Sequence, residues 1–145
     1  MMPPAGETDL ARLLAAMQPV LHPGEYVFCT ADPAAPVPAA QVLGSFQEPE
    51  GLTLILPRAA ADAHGLPYGY VAAWLTLTVH SSLAAVGLTA AVAAALTREN
   101  ISCNVVAAYY HDHLFVAQAD AERALRVLRA VAAEAAGAKP GALAA

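Results

Sequence analysis

Residues 74–117, WLTLTVHSSLAAVGLTAAVAAALTRENISCNVVAAYYHDHLFVA, decide the fold. From Trp74 to His80, Leu75, Leu77 and Val79 alternate with Thr76, Thr78 and His80, the period-2 pattern of a strand with one apolar and one polar face. A helix follows from about Gly87 to Glu99, because Leu88, Val92 and Leu96 recur every four residues and form one seam; Asn100 is its expected C-cap. Ile101 to Tyr110 and Leu114 to Ala117 read as strands joined across His111-Asp112-His113. Asp120 is placed to cap a last helix to about Ala136, with Ala121, Leu125, Leu128 and Ala132 inward and Glu122 within i+4 reach of Arg126. The order β-α-β-β-α is the ferredoxin-like arrangement short of its final strand.

Upstream, Thr8 is a candidate N-cap for a helix carrying Leu10, Leu13, Leu14 and Met17 on one stripe. Pro19 stops it, His22-Pro23-Gly24 turns the chain, and Glu25 to Thr30 has the aromatic and β-branched residues of a strand. A proline-rich loop, Ala31 to Ala40, leads to a hairpin of Val42–Phe46 and Leu52–Leu56 around Glu48-Pro49-Glu50-Gly51. Pro57 suits the start of a short helix that Gly65 ends. The expected division is residues 1–65, a linker at 66–72, residues 73–136 and a flexible tail at 137–145. The class is α+β, with antiparallel sheets and helices on one face, and each half short of an edge strand that the other can lend.

Composition excludes several classes of function. A mean hydropathy of +0.49 looks membrane-like, but much of it is alanine, and the longest uncharged stretch, Leu66 to Thr97, is broken by His80, Ser81, Ser82 and Gly87. The N-terminus has acids before its first arginine and no signal-peptide pattern, so the cytoplasm and no membrane partner are expected. With a net charge of −5 and no basic cluster beyond Arg123, Arg126 and Arg129, no nucleic-acid partner is expected. Cys29 and Cys103 form no CxxC pair and read as small apolar residues.

VGLTAAVAAALTRENISCNVV, with Gly87, Leu96 and Ile101 at the matching positions, resembles the ACT-domain signature, in which a glycine opens the first helix and a glycine-isoleucine-type step enters the second strand. LTLTVHSSLAAVGLTAAVAAAL and ISCNVVAAYYHDHLFV are similar to a group of small bacterial ACT proteins with an N-terminal companion segment, over about Tyr26 to Leu128. The resemblance implies two tandem ferredoxin-like ACT modules and an amino acid bound between paired ACT domains, as in feedback-regulated biosynthetic enzymes and a eukaryotic arginine sensor; no cofactor is expected, and a homodimer is, because closed dimers are the commonest assembly. This chain departs from the pattern. The loop after His80 is long and lacks the usual Asp and Pro-Gly pair, Asn100 replaces the glycine before Ile101, and Ser102 stands where several ACT domains place a ligand-contacting Asn.

The candidate ligand residues are His80, Ser81, Ser82, Val86, Gly87 and Leu88 in the loop entering a helix N-terminus, with Ser102 and Asn104 two apart on a strand. Free N–H groups and the helix dipole favour a carboxylate, while the serine hydroxyls and the Asn amide supply orientation. The same serines serve equally well as turn formers, and Ser102 and Asn104 as an ordinary polar sheet face. His111 and His113 invite a metal, but His22, His64 and His80 stand at no recognised ligand spacing, so no metal site is expected. No nucleophile elbow or phosphate loop occurs, and no catalytic residue is assigned. The expected function is a non-catalytic sensor of an amino acid or similar small carboxylate; the alternative is a structural module that docks on an unidentified protein partner without a ligand.

Overall fold

The computed structural model describes residues 1, 2 and 4–137. Along the chain run α1 (Leu10–Ala16), β1 (Pro19–Leu21), β2 (Tyr26–Ala31), β3 (Gly44–Glu48), β4 (Gly51–Pro57), α2 (Arg58–Ala63), β5 (Val71–Leu77), α3 (Leu88–Arg98), β6 (Asn104–Ala107), β7 (Asp112–Ala117) and α4 (Ala121–Gly137). They form two compact units. One is Pro23–Ala73, and the other joins the described residues before Pro23 to those from Trp74 to Gly137.

In the Pro23–Ala73 unit, β2 pairs antiparallel with β4, placing Val27 opposite Leu56 and Cys29 opposite Leu54. These residues, with Ala31 and Ala61, form a small buried core. β3 pairs with the other edge of β4, and Val71 and Ala72 at the start of β5 pair with β2. The order β-β-β-α-β lacks the helix expected after the first strand of a ferredoxin-like module. Pro33, Pro36 and Pro38 occupy that segment, and proline removes the donors a helix interior needs, so only a 3-10 turn forms at Ala39–Gln41. Arg58 Nη1 bonds Glu25 at 2.6 Å, and Tyr68 receives Arg58 Nε and donates to Asp62, so the polar side chains flanking α2 are mutually satisfied.

In the other unit, β5, α3, β6, β7 and α4 supply the β-α-β-β-α order, and β1 is the strand that completes it. Pro19 lies opposite Leu77 and Leu21 opposite Leu75, giving the order β1-β5-β7-β6. α4 packs on β1 and β7, and α1 and α3 pack on α4. Leu13, Leu14 and Met17 join Leu75, Leu77, Val92, Leu96, Leu114, Val116 and Leu128 in the core, all under a twentieth exposed. The seam Leu88, Val92 and Leu96 is buried, whereas Leu10 and Ala132 are only half-buried.

Several boundaries differ from the sequence expectation, each for a backbone reason. Asp9, not Thr8, caps α1, its carboxylate accepting from Arg12 N at 2.9 Å. α3 ends one residue early at a Glu99 C-cap, and Asn100, at φ 56°, is the left-handed residue after it. Asn100 N bonds Thr97 O and Ile101 N bonds Leu96 O, a Schellman closure that takes Ile101 out of the following strand. That strand shortens to β6, because Ala108 N reaches back to His111 O and the turn falls on Ala108–His111. Asp112 and His113 therefore stand in β7. β5 begins at Val71 and stops at Leu77, where Val79 N folds back to Leu77 O. Asp120 closes a 3-10 turn and pairs with Arg123 at 2.7 Å, where the sequence pointed to Glu122 and Arg126. From residue 138 on, the expected tail lies outside the described residues.

Candidate functional site

The loop from Thr78 to Gly87 is built by its own backbone. Ser81 N bonds Val79 O, Ala85 N bonds Ser82 O, and Ser82 Oγ accepts from Ala84 N at 3.1 Å. The N-terminal segment seals it from outside: Glu7 N bonds His80 O and Ser82 N bonds Glu7 O, both at 2.9 Å. Gly6 permits this approach, since a Cβ there would lie 2.5 Å from backbone atoms of Ser81 and Ser82. Gly87 then opens α3 at φ 105°, with no side-chain cap, and Ala91 N to Gly87 O is the first intrahelical bond. The N–H groups of Leu88, Thr89 and Ala90 therefore lack helical acceptors.

A cavity of about 530 Å³ lies at this helix start. Ser81, Ser82, Val86, Gly87, Leu88, Thr89 and Ala90 line one side, and Ala107, Ala108 and Asp112 line the strand side. Of the sequence candidates, Ser81, Ser82, Val86, Gly87 and Leu88 are brought together here. His80 lies outside the lining, with its ring 5.3 Å from Tyr110 and 6.5 Å from Tyr109. Ser102 and Asn104 are also elsewhere. Ser102 lies before β6 and Asn104 begins it, its Nδ2 making a long 3.4 Å bond to Phe115 O, while Ala107 at the strand's end and Ala108 just after it reach the cavity. The serine hydroxyls are committed within the loop, Ser81 Oγ to Ser82 O and Ser82 Oγ to Ala84 N.

Asp112 is the residue that sequence reasoning did not bring to the site. It is 8% exposed, and no described residue hydrogen-bonds or ion-pairs with its carboxylate. Burial pushes its acid up from the ordinary carboxylate range, and the nearby His111 partly offsets this. Its position opposite Ala107, on the face shared with Leu114 and Val116, could not be found while Asp112 was counted as a turn residue.

A second polar cluster lies on the opposite face of the same unit's sheet. His22 stacks on Trp74 at 3.5 Å, and His22 Nε2, Thr76 Oγ1 and His113 Nδ1 are linked at 2.7 and 3.0 Å. Among the described residues no group of three or more His, Cys, Asp or Glu is placed to hold a metal. Burial pushes the Cys103 thiol up to about 11, which leaves it protonated and a poor nucleophile. In the Pro23–Ala73 unit, a cavity of about 440 Å³ is lined by Phe28, Thr30, Thr53 and Tyr68, whose hydroxyl is already bonded to Asp62 and Arg58. Among the described residues no helix is long and apolar enough to cross a membrane.

Two modules of β-strands backed by helices, one with a glycine-opened helix over a cavity, define a ferredoxin-like fold. Models of the ACT domain match residues 5–73 and 70–130, and the chain belongs to the ACT-domain family with two modules in tandem. Membership makes it a regulatory, small-molecule-binding type of protein. A Vibrio cholerae protein of unknown function, described as a possible transport protein, is 44% identical with a TM-score of 0.73, over 85% of this chain and 95% of that one. An Agrobacterium tumefaciens protein at 18% identity has a TM-score of 0.60, over 80% of this chain and 89% of that one. The ligand-free regulatory subunit of Thermus thermophilus aspartate kinase, 8% identical over 81% of this chain and 98% of its own, has a TM-score of 0.55 and shares the fold. No curated protein matches the chain.

Proposed function

We propose that this protein is a non-catalytic cytoplasmic sensor that binds a free amino acid or similar small carboxylate in the cavity at the start of α3. The observation that carries the reading is the uncapped N-terminus of α3, whose free N–H groups on Leu88, Thr89 and Ala90 line a cavity large enough for a small molecule. Gly87 opens that helix at φ 105°, a backbone conformation that favours glycine. Output would be a change in assembly or partner binding driven by unequal ligand affinity of two states. A homodimer belongs to the same reading: Leu83 and Val86, 68% and 83% exposed beside the cavity, suit cover by an ACT module of a second copy. Sedimentation with and without ligand tests that part.

The test of binding is thermal unfolding with each standard amino acid. A ligand at 100 times its Kd should add about 2.7 kcal/mol if it binds only the folded state. Thr89→Asp is the matching variant. An acid in the first turn suits the helix dipole and leaves the fold intact, yet repels a ligand carboxylate from the same N–H groups. Stabilisation by no amino acid, or equal stabilisation of Thr89→Asp, would leave the second reading. That reading, a docking module without a ligand, is favoured by the exposed Leu83, Val86, Tyr109 and Tyr110 and by serine hydroxyls already used within the loop.

A further inference from the structure

We infer that residues 6–9 form a latch on the cavity loop, a strap that docks and undocks as a unit while α1 and the core stay folded, and whose docking follows the state of the cavity. The latch rests on backbone geometry alone, and its link to occupancy rests on the proposed site at the start of α3.

Strap and cavity share one short stretch of backbone. Ser81 and Ser82 line the cavity, and none of residues 6–9 does. The strap lies on the same two residues in parallel register: Glu7 donates its N–H to His80 O and accepts from Ser82 N, both at 2.9 Å. Gly6 comes so close that a Cβ would stand 2.5 Å from Ser81 C and Ser82 N, and since its φ is not left-handed, closeness alone excludes a side chain there. At its other end the strap turns into α1, because the Glu7 carboxylate accepts from Thr8 N at 2.8 Å and Asp9 N at 2.9 Å.

What the strap lacks is burial. Gly6 and Glu7 are half-buried, Thr8 and Asp9 are exposed, and the first buried side chain of the segment is Leu13. A stretch held by a few hydrogen bonds, with no buried apolar side chain, belongs to the least stable part of a fold and opens without the rest. Leu13, Leu14 and Met17 keep α1 in the core when it does. Undocking frees His80 O and Ser82 N–H and takes the support from one wall of the cavity. Whatever holds Ser81 and Ser82 from within the cavity therefore favours docking, and docking favours it in return by the same factor.

Amide hydrogen exchange on the full chain, read residue by residue by NMR, tests this. Without ligand, the Glu7 and Ser82 amides should exchange together, at least about tenfold faster than those of Val92 and Leu96 in α3, and at a rate that low urea leaves unchanged. Gly6→Ala should speed Ser82 further while Val92 and Leu96 keep their protection. Amino acids that stabilise the natural chain should slow Glu7 and Ser82 in parallel, although Glu7 is outside the cavity. Exchange of Glu7 and Ser82 only at the core's rate and with the core's urea dependence overturns the latch, and this arm needs no variant to fold. A folded Gly6→Ala chain in which Ser82 stays protected overturns it too. An amino acid that slows Ser82 but not Glu7 breaks the link to occupancy and leaves the site standing. If no amino acid binds, the site falls, and the ligand-free exchange still decides the latch.

Discussion

Trp74 donates its indole N–H to Nδ1 of His113 across 3.1 Å, and this bond requires His113 to be unprotonated at that nitrogen. Thr76 Oγ1 reaches the same nitrogen at 3.0 Å and links it to His22 Nε2. Burial, followed by the charges of His111 and His22, pushes His113 below the ordinary histidine value of 6.5, and burial does the same to His22.

The sign of the pH dependence follows. The unfolded chain takes up these protons first, so stability from the neutral pair is complete above about pH 6.5 and is lost as pH falls through the lower folded values. Thermal unfolding between about pH 5 and pH 8 should show a melting temperature that drops on the acid side. His113→Gln, which keeps an acceptor for Trp74, should flatten that drop; an unchanged slope would mean other groups carry it.

The segment that carries α1 and β1 is a structural member of the C-terminal ACT unit, since Leu13 is fully buried and β1 pairs with β5. Leu13→Ala should cost about 2–5 kcal/mol in urea unfolding, the range for a core leucine. A fragment starting at Tyr70 loses α1 and β1 together and should show no cooperative transition. Sharp unfolding of that fragment as a soluble monomer would show the segment to be dispensable.

These first residues also mark where the sequence was legible and where it was not. The alternation of Leu75 and Leu77 with Thr76, and the seam Leu88, Val92 and Leu96, reported strand and helix directly, because burial on one face imposes the period. β1 carried no such signal. Three residues beginning with a proline show no alternation, and they are a strand only because β5 offers them a partner. The loop into α3 could be picked out from Gly87, whose φ of 105° favours glycine. Which strand residues face that loop depends on where β6 ends and β7 begins. A turn placed three residues late put Asp112 on the hairpin and gave its position to Ser102 and Asn104.

The Schellman closure of α3 places a side chain where glycine is usual. Asn100 tolerates φ 56° because its short amide can bond locally, whereas a residue with an ordinary Cβ pays about 1–2 kcal/mol for the left-handed conformation. Asn100→Ala should lower stability by roughly 1 kcal/mol, and Asn100→Gly should be near neutral. Chemical unfolding of both variants checks this; equal loss in both would locate the contribution in the Asn side chain.

Gly87 meets two separate obstacles to substitution, and they can be measured apart. Its φ of 105° is strained for any L-residue, and a Cβ there would lie 2.9 Å from Leu10 Cδ2 of α1. The first cost is local to the backbone, about 1–3 kcal/mol, and no change elsewhere relieves it. The second depends on the end of one half-buried side chain, which a shorter residue removes. Gly87→Ala should therefore destabilise by more than the backbone cost alone. In the Leu10→Ala background the same change should cost less, leaving a coupling energy of about 0.5–3 kcal/mol in a double-mutant cycle. Strict additivity would show that Leu10 moves aside freely and that backbone conformation alone holds glycine at the mouth of the cavity.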